Sequence, residues 1–264
     1  MRKIFGICVA LCLGFVWGCA EVEVLIPSHL SGPKEPQYDP GKPPITLTLD
    51  KLKEMQMQGG RPICDPKRSK TLEVPREKQQ TPAWCWAAST RMVMEYHNKK
   101  QQNPTDLQCD LVRKVFDLSL VRANCCETKI SSDFIDAPSE CVRGGWPHQV
   151  LDYYQFSYQT VGGALDWEAL TREICTTGPF IPVIDWRGGG SHAFIVTGYI
   201  PPGQPGQSSR RQIVKIYNPL EKDFEYLTFD EFVGDSQGEE PDGFYGFSHN
   251  LNFVQISSKA KDRP

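Results

Sequence analysis

The apolar pattern of this chain changes its period once, between its front and back halves, and does not change back. In the front half Cys85, Ser89, Met92, Val93 and Tyr96 fall at i, i+4, i+7, i+8 and i+11, one face of a helix that begins near Pro82 to Trp84 and stops before Asn103-Pro104. Thr105 or Asp106 caps a second helix through Phe116, and Gln149 to Phe156 and Asp166 to Cys175 are shorter helical stretches. In the back half Phe180 to Asp185, Ala193 to Ile200, Gln212 to Tyr217 and Phe224 to Thr228 are β-branched and aromatic runs. Gly-Gly-Gly, Pro-Pro-Gly and Asn-Pro divide them. Helices followed by strands, without alternation, give the α+β class. The 22 glycines and 21 prolines add many turns and argue against a long bundle or coiled coil.

Regular periodicity sets in after Val74, so one domain is expected over residues 73–258, with a short tail at 259–264. Residues 20–72 are rich in Pro and Gly and poor in large apolar side chains beyond Ile45 to Leu52, the composition of a linker or irregular arm. Residues 1–19 read as a signal peptide: Arg2 and Lys3 form the charged start, and Ile4 to Trp17 the apolar run. That run is shorter than the roughly 20 residues needed to span a bilayer. Val16-Trp17-Gly18-Cys19 resembles a bacterial lipobox, which makes Cys19 the candidate for lipidation; cleavage after Ala20 is the alternative. An exported protein, anchored in the cell envelope or secreted, is the expectation, with the membrane reached only through that anchor. The formal net charge of −3 offers no basic excess for nucleic acid.

Of ten cysteines, Cys8, Cys12 and Cys19 belong to the leader, which leaves Cys64, Cys85, Cys109, Cys125, Cys126, Cys141 and Cys175. Seven is odd, so disulfides in an oxidising compartment leave one thiol over. Cys125, Cys126, Cys141 and His148 have the residue types of a zinc site but no familiar ligand spacing, and disulfides explain the cysteines better. No metal or organic cofactor is expected.

The phrase Gln79-Gln80-Thr81-Pro82-Ala83-Trp84-Cys85-Trp86-Ala87-Ala88-Ser89 puts Cys85 in the first turn of a helix. Unpaired backbone N–H groups and the helix dipole favour negative charge there, which lowers a thiol pKa. A glutamine on the incoming loop can aim its amide at the space beside the Cys85 N–H, giving two donors for an oxyanion. His192, behind Gly188-Gly189-Gly190-Ser191 at the mouth of a strand, is the best of five histidines for a base. Asn218, ending the following strand before Pro219, can orient its ring, although Asn before Pro is also a common turn residue. His97 and His249 read as solvated, the aromatics from Tyr153 to Tyr158 as packing, and Trp146 and Trp186 as candidates to line a cleft.

In its Cys, His, Asn order the chain resembles the papain-like cysteine proteases. The resemblance rests on Gln79 six residues before Cys85, on Cys85-Trp86-Ala87 with Ser89, on the Gly-rich approach to His192, and on Asn218. More narrowly it is similar to bacterial members with a W-C-W-A-A phrase and a His-Ala strand leading to Gly-Tyr, here Gly198-Tyr199. The resemblance implies an N-terminal helical lobe, a C-terminal antiparallel β-barrel-like lobe, and a thiolate facing an imidazolium across a cleft. It further implies Cys85, His192 and Asn218 as catalytic residues, a peptide or polypeptide substrate, and an acyl-enzyme. The six-residue spacing favours Gln79 for the oxyanion, and a one-residue slip in the loop would favour Gln80. Pro82, Ala83 and Trp84 stand where eukaryotic members carry Gly, Ser and a bridged Cys, and Pro219 stands where papain has the first residue of a Ser-Trp pair. The same lobes also serve acyltransferases, deamidases and cell-wall amidopeptidases, and a disulfide-stapled binding module without catalysis is the remaining alternative.

Overall fold

The computed structural model of the chain describes residues 41–58, 65, 67–98, 107–116, 126, 142–186, 189–204, 211–221, 223–234 and 246–258. The leader, Cys19, Cys64, Cys125, Cys141, the expected cap at Thr105 or Asp106 and the tail lie outside the described residues. Helices α1 (Leu49–Gln58), α2 (Cys85–Asn98), α3 (Gln108–Val115), α4 (Pro147–Tyr153) and α5 (Trp167–Thr176) precede most of the strands, and a short α6 (Phe229–Val233) lies among them. The strands are β1 (Lys70–Thr71), β2 (Phe156–Gly162), β3 (Ile181–Trp186), β4 (Ser191–Ala193), β5 (Ile195–Ile200), β6 (Ile213–Asn218), β7 (Asp223–Thr228) and β8 (Phe247–Ser258).

The first part of helix α2 is buried on nearly every side: Trp86, Ala87, Ala88, Ser89, Met92, Val93 and Met94 are almost inaccessible, as is Trp84 just before it, while Arg91 and Glu95 to His97 are partly exposed. A helix start so enclosed belongs in a core, and α3 and α4 pack on it. The Trp86 ring meets Phe116 edge-on at 5.7 Å, and its Nε1 donates to the Arg143 carbonyl over 3.3 Å. Gly145 is obligatory here, because a Cβ on it would stand 2.6 Å from the Trp86 ring. Helix α4 starts at Pro147, a residue suited to a first turn. It stops before the positive φ of Gln155, so it begins and ends earlier than the expected Gln149 to Phe156. Asp166 caps α5 by accepting from the Ala169 N–H over 2.9 Å.

The strands form two antiparallel sheets, ordered β2-β8-β3-β4 and β1-β5-β6-β7. The run expected from Ala193 to Ile200 is divided at Phe194: β4 pairs with β3, and β5 turns away to pair with β6. A bridge between Phe180 and Val196 closes the corner. One stretch of chain thus serves both sheets, which gives the back half its barrel-like form. Strand β2 begins within the aromatic stretch read as packing and runs on to Gly162, and β8 takes in His249, which was read as solvated.

The arm of residues 20–72 also differs from its composition. Within it α1 buries Leu52 completely, Lys53 pairs with Asp166, and Gln56 Nε2 donates to the buried Glu173 carboxylate over 2.9 Å. Gln255 adds two more donors to Glu173. Lys70 and Thr71 extend the second sheet by pairing with Tyr199 and Gly198. These contacts are long-range, so nothing in the local sequence announces them.

Candidate active site

Cys85 opens α2, His192 lies in the middle of β4, and Asn218 ends β6, so one helix and two strands of different sheets converge on one point. Ser89 fastens them together: one turn after Cys85, its hydroxyl donates to the carbonyl of Ala193, the neighbour of His192, over 3.1 Å. Helix and strand are thereby held in register at the place where the thiol meets the imidazole.

The Asn218 side chain decides how the imidazole is used. Its Oδ1 accepts the Leu220 backbone N–H over 3.1 Å, and only an oxygen can accept that bond. The same Oδ1 lies 2.9 Å from His192 Nε2, which must therefore carry a hydrogen. Nδ1 is left for the Cys85 sulfur, with which the ring is also hydrogen-bonded. Pro219 contributes through the backbone, because its carbonyl accepts the Gln79 N–H over 2.9 Å and joins the loop before α2 to the turn after β6.

Cys85 and His192 are both 8% exposed. For Cys85, burial is the largest influence and disfavours a thiolate. Hydrogen bonding and charge interaction with His192, together with the amides of Ala193 and Trp86, outweigh it, and the thiol pKa is lowered. For His192, burial again is the largest influence and disfavours the charged ring. The Cys85 sulfur, the Asn218 bond and the charge of Glu225 outweigh it, and the imidazole pKa is raised. Both shifts favour a thiolate–imidazolium pair.

The indole of Trp186 stacks on His192, with centroids 6.1 Å apart and planes 26° from parallel. This places one of the two cleft candidates on the imidazole; Trp146 instead precedes α4, where its N–H donates to Gln149 Oε1 over 2.9 Å. Gln79 is buried and donates from Nε2 to the Thr81 carbonyl over 2.9 Å, while its Oε1 has no partner among the described residues. The Gln80 side chain is exposed.

Among the described cysteines Cys85 is the free one. Cys109 is bridged to Cys126, with Cα atoms 5.1 Å apart, and Cys175 is also disulfide-bonded. Cys109, Asp110 and Cys126 bring three donor atoms within 4.8 Å, but two are the joined sulfurs of that bridge and unsuited to holding a metal. The other histidines are not solvated as expected. Burial takes His97 down to about 4, and His249 sits between Phe232 and Phe247 with Nε2 on the Phe232 carbonyl at 2.6 Å.

A family profile described as papain-like cysteine protease AvrRpt2 matches residues 68–236, well over half of the chain. The chain belongs to that family. It is a cysteine-type peptidase, and its substrates are peptides or proteins. The matched span of this papain-like protease contains Gln79, Cys85, His192 and Asn218, while α1 and β8 lie outside it. Among curated proteins no match is found. Sequence reasoning named Trp186 only as a cleft residue and missed two contributions to the papain-like site: the Ser89 tether and the charge of Glu225. The last leaves a readable trace, a carboxylate at one of the alternating positions of an otherwise apolar β run.

Proposed function

We propose that this papain-like protease is an exported peptidase that cleaves peptide bonds through the Cys85 thiolate and the His192 imidazolium. The observation that carries this reading is the hydrogen-bonded line from Cys85 through His192 to Asn218, with the only free thiol among the described cysteines at a helix N-terminus. In the first half-reaction the thiolate attacks the substrate carbonyl, and the oxyanion that forms accepts hydrogen bonds from the Cys85 N–H and the Gln79 amide. The burial of Gln79, against the exposure of Gln80, supports that assignment. His192 Nδ1–H then protonates the leaving amine as the C–N bond breaks, leaving a thioester and a neutral imidazole. In the second half-reaction His192 takes a proton from water, the hydroxide attacks the thioester, and the acid product leaves as the thiolate is restored.

Export is supported by the leader pattern of residues 1–20 and by the Cys109–Cys126 bridge, which belongs in an oxidising compartment. Lipidation of Cys19 would hold the enzyme at the envelope. Among the described residues no helix is long and apolar enough to cross a membrane. The test is brief alkylation of the full chain by a small haloacetamide at mildly acidic pH, with peptide mapping, beside His192→Ala. Ordinary thiols, with pKa near ~8.5, barely react under those conditions. Fast labelling confined to Cys85 and lost in the variant is expected; a Cys85 no faster than a free thiol refutes the pair. Product mass then separates hydrolysis, which adds water, from deamidation or cross-linking.

A further inference from the structure

Strand β7 carries a charge where its pattern calls for an apolar residue. Glu225 stands opposite Ile216, and Leu227 stands opposite Val214, on the face of β6 that also bears Asn218. Val214 and Ile216 are buried, at 0% and 4% exposure, so this is a core-facing surface. The other face carries Lys215 over the rings of Phe224 and Tyr226, with Tyr226 58% exposed. Among the described residues Glu225 Oε1 is buried without a hydrogen-bond partner. An inward carboxylate left half-satisfied is destabilising by itself. Its register gives it an electrostatic counterpart: Asn218 lies one diagonal step away on the same face, and the His192 ring sits on Asn218.

We propose that Glu225 is a positioning residue, supplying the negative charge that keeps His192 protonated, a charge that the neutral Asn218 amide orients toward but does not carry. The charge interaction between Glu225 and His192 runs in this direction. By the same register Asp223 stands directly opposite Asn218, so it is the control for Glu225 in the experiment below; the remaining ionisable groups around the ring do not replace Glu225. From α2 comes Cys85 itself. On β3, Asp185 is turned to the opposite face, bonded to Ser191 and Asn250. On β8, burial lowers the pKa of His249 and so disfavours its charged form. On β6, Lys215 faces away, and on α6 Asp230 is exposed while Glu231 is bonded at the helix start to Thr228.

The proposal rests on the Cys85–His192 pair, and the experiment separates the two. The ring of His192 is titrated by NMR in the full chain, in the parent protein, in Glu225→Gln, in Asp223→Asn, in Glu225→Asp and in Glu225→Gln with Asn218→Asp. Glu225→Gln is expected to lower the midpoint by about half to one pH unit without lowering the melting temperature, since a charge has left a core-facing position. Glu225→Asp should recover part of the shift, and Asn218→Asp should recover it by returning a carboxylate to the same face. An unchanged midpoint in Glu225→Gln, a fall in Asp223→Asn as large as that in Glu225→Gln, a loss of melting temperature without a shift, or a shift that Asn218→Asp does not reverse would each overturn the proposal. Failure of the pair itself has a different signature: capping Cys85 with a methylthio group in the parent would then leave the His192 midpoint where it was.

Discussion

Replacing Asn218 by alanine removes one oxygen with two tasks, and the structure separates their consequences. Oδ1 accepts His192 Nε2–H over 2.9 Å and the Leu220 N–H over 3.1 Å. The first bond stabilises a charged ring, and hydrogen bonds to charged groups contribute about 1.5–3 kcal/mol. At 1.36 kcal/mol for each factor of ten, losing it should shift the thiolate–imidazolium pair by one to two pH units and slow Cys85 alkylation at about pH 5.5 by roughly 10- to 100-fold. The second bond is neutral and contributes about 1 kcal/mol, which for a domain of this size lowers the melting temperature by about 2–4 °C. The assay is therefore a pair of measurements, the alkylation rate of Cys85 against pH and the thermal midpoint of the same sample. A large kinetic loss with a small thermal loss is expected. Alkylation within twofold of the parent would refute the reasoning, because the amide would then be a turn residue that happens to touch the ring.

Three further outcomes follow from the packing. In Gly198→Ala the new Cβ would stand 2.3 Å from the Lys70 carbonyl oxygen and 3.0 Å from the Thr71 Cα, both backbone atoms, so β1 must be displaced. A loss of about 1–3 kcal/mol is expected, with faster amide exchange at Leu72, whose N–H donates to Thr197; unchanged exchange there would show that the arm is not held through β1. Burial lowers the pKa of His97 from 6.5 to about 4, so the unfolded chain binds a proton that the folded one refuses as pH falls. Stability is full above pH ~6.5 and declines by about 3 kcal/mol toward pH ~4, and His97→Gln should flatten that slope in denaturant titrations. The Cys109–Cys126 bridge closes a separation of 17 residues, so Cys109→Ser with Cys126→Ser should lose about 3 kcal/mol in chemical unfolding, while Cys85 keeps its alkylation rate.

The elements that sequence reading recovered are those whose signal is local. The helix at Cys85 repeats its buried face every three to four residues, and Asp166 announces α5 by the cap it provides. Strands β3, β6 and β7 are short β-branched or aromatic runs between turns, and they lie within one residue of their expected bounds at each end. The elements that were missed depend on partners distant in the chain. Helix α1 is a polar stretch on its own, and it is ordered by Leu52 entering the core and by Gln56 meeting Glu173, a contact 117 residues away. Strand β1 is two residues that pair only because Gly198 lets their backbone approach.

The site divides along the same line, and this explains why its order along the chain was legible while its electrostatics were not. Cys85, His192 and Asn218 each need a particular local setting, a helix start, a strand behind glycines and a strand end before proline, and each setting is written in adjacent residues. What sets the protonation of Cys85 and His192 is a balance between opposing effects that no single segment contains. Burial by itself would neutralise both members of the pair, raising the thiol and lowering the imidazole. The reversal of both shifts depends on α2, β4, β6 and β7 meeting at once: amides at Trp86 and Ala193 on the sulfur, the Asn218 oxygen on Nε2, and the Glu225 charge on the ring. The dry surroundings that would extinguish an isolated thiolate strengthen each of these interactions. The thiolate–imidazolium balance at Cys85 is therefore a property of the assembled corner between the two sheets, and any change that loosens the Ser89 link to Ala193 should slow Cys85 alkylation without touching Cys85 or His192.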